Sequence, residues 1–162
     1  MKSRIVELMP EIDRIKDEEI RRKVISIWEK AIALGGWDDP SKIPFNPTIG
    51  LPPSLIDHTL LVTRTAIFFA TEFEQTYGKG VDWDLLITSS VLHDVSKVLE
   101  FKPHSERITK SEIGEKVPHG YFGGFLAWEG GAATGLYPHD RHPYSHRRNI
   151  ARQGRGGHPS IC

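Results

Sequence analysis

The run LITSSVLHDVSKVLEF at 86–101 sets an adjacent imidazole and carboxylate, His93 and Asp94, inside a helical pattern. Its apolar residues recur at helical spacing and Asp82, just upstream, has a side chain that caps helix starts, which predicts a helix over about 82–100. On that helix Leu86, Ser89, Ser90, His93 and Lys97 share one side, where the two serines leave room for a neighbouring helix. Upstream, a second helix is expected from about 53 to 77, stopped by Gly78 and Gly80, with Leu55, His58, Val62, Thr65 and Phe69 on one stripe. The stripe turns His58 towards an apolar side, where an imidazole needs a partner.

Further out, a polar loop, KPHSERITKSE at 102–112, is expected to lead into a helix over about 117–129. Pro118 suits its first turn, and Gly120, Gly123 and Gly124 leave one surface bare. Towards the N-terminus, Ile20, Val24, Ile27, Trp28 and Ala31 recur at three- and four-residue intervals before Gly35-Gly36, giving a core-packing helix over about 17–34. Between the two, Pro40, Pro44, Pro47, Pro52 and Pro53 exclude a continuous helix across 37–53, a surface connector or pocket wall. Beyond Gly130-Gly131 the stretch YPHDRHPYSHRRNIARQGRGGHPSIC has almost no aliphatic residues and neither helical nor strand period. It reads as a disordered basic tail or as a stretch translated out of frame, irregular in either case. The elements add up to an all-α fold.

At 162 residues the chain suits one ordinary domain, with the composition of a globular protein. No apolar run approaches the roughly 20 residues that cross a bilayer. The N-terminal MKSRIVELMPEIDRIKDEE has charges where a signal peptide is apolar, so a cytoplasmic protein is expected, without a membrane partner. Net charge is zero, but 137–162 hold five Arg against one Asp while the first 136 residues hold 16 basic and 20 acidic groups. A mildly acidic body argues against nucleic acid as a partner. The only cysteine is Cys162, so any metal must be held by nitrogen and oxygen.

Imidazole and carboxylate together suit zinc, manganese, iron, cobalt or nickel; magnesium prefers more oxygen. If His58, His93 and Asp94 converge from two packed helices, they supply three ligands and leave positions open for water, as catalytic metal sites do. Lys97, one turn beyond His93 and three residues beyond Asp94, then falls close enough to meet a phosphate oxygen. Taken singly, each residue has a plainer role. His58 alone is a hydrogen-bonded core histidine, Asp94 a solvated carboxylate paired with Lys97, and His119 an exposed helix-start residue. The combination carries the metal reading. His104 is expected to be solvent-exposed, and His139, His142, His146 and His158 lie in the tail, where they bind metal only adventitiously.

His58 in LIDHTLLVTRTA, the pair in VLHDVSKVLEF and His119 in VPHGYFGG, on successive expected helices, resemble the HD-domain superfamily of metal-dependent phosphohydrolases over about 53–135. The resemblance implies an all-helical bundle with one or two divalent ions per chain and phosphate ester hydrolysis. His58, His93 and Asp94 match the first three ligands, Lys97 the lysine that contacts phosphate, and His119 the additional histidine of dinuclear members. Such domains normally close the site with a later aspartate. Asp140, the only aspartate after Asp94, lies in a segment without helical pattern.

The expected organisation is an N-terminal helical segment over 1–36 packed on a metal-binding core over 37–136, followed by a basic tail over 137–162. The expected activity is hydrolysis of a small phosphorylated molecule, a nucleotide or other phosphomonoester, with Asp94 and Lys97 as catalytic residues. The alternatives are an impaired metal- or ligand-binding module and a di-iron oxygenase of the same fold. Apolar faces around Phe122, Phe125 and Leu126 are expected to be exposed and to promote homo-oligomers.

Overall fold

Side-chain caps fix where the main helices begin. The computed structural model describes residues 3–46, 53–104 and 107–132. In it Asp17 accepts hydrogen bonds from the amides of Glu19 and Ile20 and opens the helix Glu18–Gly35. Ser54 and Asp57 form a reciprocal capping box at the start of Leu55–Tyr77. Asp82 accepts from the Leu85 amide ahead of Trp83–Leu92. Gly36 and Gly78 end the first two helices in the left-handed region, where a Cβ would be strained. With the short Arg4–Leu8 as α1, these helices are α2, α3 and α4; α5 (Glu112–Lys116) and α6 (His119–Glu129) follow. The fold is all-α, as its sequence pattern implies. No helix among the described residues is long and apolar enough to cross a membrane.

The core forms where α2 lies against α4 and the 3-10 turn Val95–Leu99. α2 buries Val24, Ile27, Trp28 and Ala31 there, and the turn buries Val95, Val98 and Leu99. The indole N–H of Trp28 donates to the Val91 carbonyl at 3.2 Å and that of Trp37 to the Val98 carbonyl at 2.9 Å. Burying each indole contributes roughly 4–6 kcal/mol of transfer free energy, undiminished by an orphaned polar atom. Ile5, Val6, Met9 and Ile12, from α1 and the turn that follows it, join the same core. α3 lies along α4 and buries Ile56, Thr59, Thr63, Ile67 and Ala70.

Several expectations are corrected. α4 ends at Leu92 and not near Glu100, so His93 and Asp94 occupy a turn between it and the 3-10 segment. At this end the Val91 carbonyl accepts from the distant Trp28 indole and the Ser90 carbonyl from the nearby His93 Nδ1–H at 2.7 Å, so side chains have taken acceptors that a continuing helix would use. In place of the polar loop stands an antiparallel hairpin, β1 (Phe101–His104) and β2 (Arg107–Lys110), followed by α5. The stripe on α3 is also shifted. Phe69 is 73% exposed and Thr65 exposed, while the deep face runs through Thr59 and Thr63, leaving His58 on the flank.

Pro118 precedes α6 as its cap residue and does not enter the first turn. Of the apolar residues expected to be exposed there, Phe125 is, Phe122 is half-buried, and Leu126 is buried at 3% exposure. The expectations for Pro47, Pro52, Asp140, the tail histidines and the whole of 137–162 lie outside the described residues, as does the side chain of His104.

Candidate metal centre

Three elements deliver the site. His58 stands on the first turn of α3, which the capping box at Ser54 anchors and which the backbone bond from Leu55 N–H to the Ile43 carbonyl (2.8 Å) ties to the connector. His93 and Asp94 stand in the turn after α4, and His119 is the first residue of α6. Ser96 sets the distance between turn and helix: its hydroxyl donates to the His119 carbonyl at 2.6 Å. Gly123 permits this approach, since a Cβ there would sit 3.1 Å from Ser96 Oγ.

His58 Nε2 and His93 Nε2 are 3.4 Å apart, and Asp94 Oδ2 lies 3.5 Å from the first and 3.4 Å from the second. Nitrogen and oxygen ligands at zinc-like bond lengths of about 2.0–2.1 Å place the corners of a tetrahedron roughly 3.3–3.4 Å apart. The three atoms therefore have the separations of one face of such a shell, and His58, His93 and Asp94 could hold a divalent ion. The Nδ1–H bond to the Ser90 carbonyl leaves the Nε2 of neutral His93 as a lone pair, the tautomer a ligand needs.

His119 joins from the other side of Asp94, with Nε2 3.9 Å from Oδ1, and its Nδ1 lies 3.6 Å from Glu100 Oε2. Lys97 makes no ion pair among the described residues, contrary to its plainer reading; its ammonium lies 4.6 Å from the centre of the Phe45 ring. Phe45 in turn stacks on His58 with centroids 3.7 Å apart. Sequence reasoning missed Phe45 and Glu100. Glu100 lay inside the quoted run, as a carboxylate six residues beyond Asp94, whereas nothing in the proline-rich connector marks Phe45.

The electrostatics follow from this crowding. Burial pushes the Asp94 carboxyl up, but the hydrogen bond from His93 and the nearby positive groups of His93, Lys97 and His119 outweigh it and hold it below its ordinary value. His93 is raised, first by its hydrogen bond to Asp94, against burial and with help from the Ser90 carbonyl. His58 is lowered, chiefly by burial and further by His93 and Lys97, although Asp94 attracts its proton. In metal-free protein His93 should therefore take up its proton at higher pH than His58. The His93 contribution to stability is present in full below the unfolded-state pKa and is lost as pH rises through the folded one. NMR titration of the ring signals checks the order, and protonation of His58 first would contradict this account.

Comparison with known proteins adds a relative. The chain is similar to a dihydroneopterin 2',3'-cyclic phosphate phosphodiesterase of Methanocaldococcus jannaschii, at 35% identity over 92 residues that cover 52% of this chain and 37% of the relative. The match thus spans little more than a third of that protein's length. No protein-family model and no solved structure matches the chain. The chain is a distant homologue of a phosphodiesterase, and its helical fold brings together two imidazoles and a carboxylate able to hold a metal ion.

Proposed function

We propose that the chain is an HD-type, metal-dependent phosphoester hydrolase acting on a small phosphorylated molecule. The observation that carries this reading is the triangle of His58 Nε2, His93 Nε2 and Asp94 Oδ2, with separations that match one coordination shell. Similarity to a cyclic phosphate phosphodiesterase supports the substrate class and suggests a cyclic phosphodiester beside the phosphomonoesters. His119, facing the second oxygen of Asp94, is proposed to assist in holding a second ion.

A divalent ion held by these residues would supply polarisation of a phosphoryl oxygen and activation of a water. Asp94 contributes the negative charge that retains the ion, with its two oxygens turned to opposite histidines. Lys97 places its ammonium beside the cluster, where it offsets charge developing on the phosphoryl oxygens. Phe45 covers one face of His58 and restricts the positions this ring can adopt.

The test is a screen of small phosphomonoesters and 2',3'-cyclic phosphodiesters with metal-loaded protein. Turnover should vanish with chelator and return with manganese, cobalt or nickel. Chelator-resistant turnover would reject the metal-dependent mechanism. Metal binding with no turnover would favour a binding module, and oxygen consumption with iron an oxygenase.

A further inference from the structure

Glu100 stands outside the group of His58, His93 and Asp94 that could hold a metal ion. Its side chain is 19% exposed, and Oε2 is buried without a hydrogen-bond donor at bonding distance. A buried carboxylate oxygen in that condition is costly unless a donor serves it. The nearest ring is His119, with Nδ1 at 3.6 Å, and the same ring turns its other nitrogen, Nε2, towards Asp94 Oδ1 at 3.9 Å. Opposite nitrogens of one imidazole thus face two carboxylates.

The backbone of Glu100 is fixed independently of this contact. Its amide donates to the Lys97 carbonyl at 3.0 Å, and its carbonyl accepts from the Ser111 amide at 3.0 Å. The Ser111 hydroxyl bonds the preceding Leu99 carbonyl, and Gly114 lies so close that a Cβ there would collide with the Glu100 carbonyl. His119 is pinned in its turn through the Ser96 bond to its carbonyl. Two anchored backbones therefore hold carboxylate and ring a few tenths of an ångström beyond hydrogen-bond distance, which a small ring rotation closes.

We propose that Glu100 is the positioning residue of His119: its Oε2 accepts the Nδ1–H of the ring, which leaves Nε2 unprotonated and turned towards Asp94 Oδ1. A carboxylate behind an imidazole selects the tautomer and holds the ring plane. The consequence for a second ion rests on the proposed function; the tautomer does not.

The experiment follows both. Long-range ring nitrogen–proton spectra of the intact protein, with and without zinc, give the His119 tautomer, His119→Gln identifying its signals. Protonation at Nδ1 is expected in wild type, a shift towards Nε2 in Glu100→Ala, and retention of Nδ1–H in Glu100→Gln, whose amide oxygen still accepts. Calorimetric titration with Mn2+ should show the weaker equivalent losing about ten- to a hundredfold in affinity in Glu100→Ala, with the tighter equivalent unchanged and Glu100→Gln largely restored. Nε2 protonation in the wild type, or an Nδ1–H that persists in Glu100→Ala, overturns the proposal. A wild type that binds no Mn2+ sinks the proposed function instead, and the tautomer still decides the role of Glu100.

Discussion

Asp94→Ala should abolish stable metal retention, with affinity reduced by at least about a hundredfold, beyond what loss of an outer partner causes. Asp94 is 8% exposed and, among the described residues, is the carboxylate that reaches His58, His93 and His119 together. Alanine removes both oxygens and the negative charge, leaving imidazoles that face one another without a counter-ion. Asp94→Asn separates the two effects, since it keeps an oxygen but not the charge, and it should fall between. Thermal unfolding with and without Mn2+ gives a second readout: an ion at a hundred times its Kd stabilises the folded state by about 2.7 kcal/mol, and this increment should disappear in the alanine variant. Wild-type metal content in Asp94→Ala would move the site elsewhere in the chain.

Lys97→Ala should keep the metal and lose roughly ten- to a thousandfold in kcat, the scale of removing one electrostatic contact to the transition state. That loss corresponds to about 1.4–4 kcal/mol. The contact the lysine makes in the folded protein is its approach to Phe45, and a cation–π pair at a solvent-accessible position contributes only about 0.5–1 kcal/mol. A purely structural role would therefore lower the unfolding midpoint slightly and leave kcat alone. Steady-state kinetics with parallel metal analysis distinguish the two, and unchanged kcat would reduce Lys97 to a packing residue on Phe45.

The helix boundaries that the sequence makes legible are those fixed within a few residues of themselves. Asp17, Ser54 and Asp82 cap with their own side chains, and Gly36 and Gly78 need only their own backbone freedom. The end of α4 was not legible because one of its acceptors is taken by Trp28, which stands 63 residues upstream of Val91. The pairing of Phe101–His104 with Arg107–Lys110 is equally hidden, since these polar strands carry no clean alternation. His58, His93, Asp94 and His119 could be picked out by chemistry and a family resemblance, and the structure brings them together around one carboxylate. Phe45 and Glu100 enter only through packing: one reaches the site by the strand-like bridge of Pro44 to Ser54, the other through the turn that follows Lys97.

Because Asp94 caps a 3-10 segment of about three residues per turn and Lys97 lies three residues into it, the two side chains stand nearly in line, and their spacing is a rotational lock. Inserting or deleting one residue between them would swing the lysine about 120° around the turn. The same change would swing Val98 and Leu99, which fill the interior behind it. Five residues thus serve as inner wall and outer face at once, so no drift in this spacing can retune the chemistry without also dismantling the core. Variation among descendants of this sequence should accordingly collect in the connector and the hairpin, while the length of this turn stays constant.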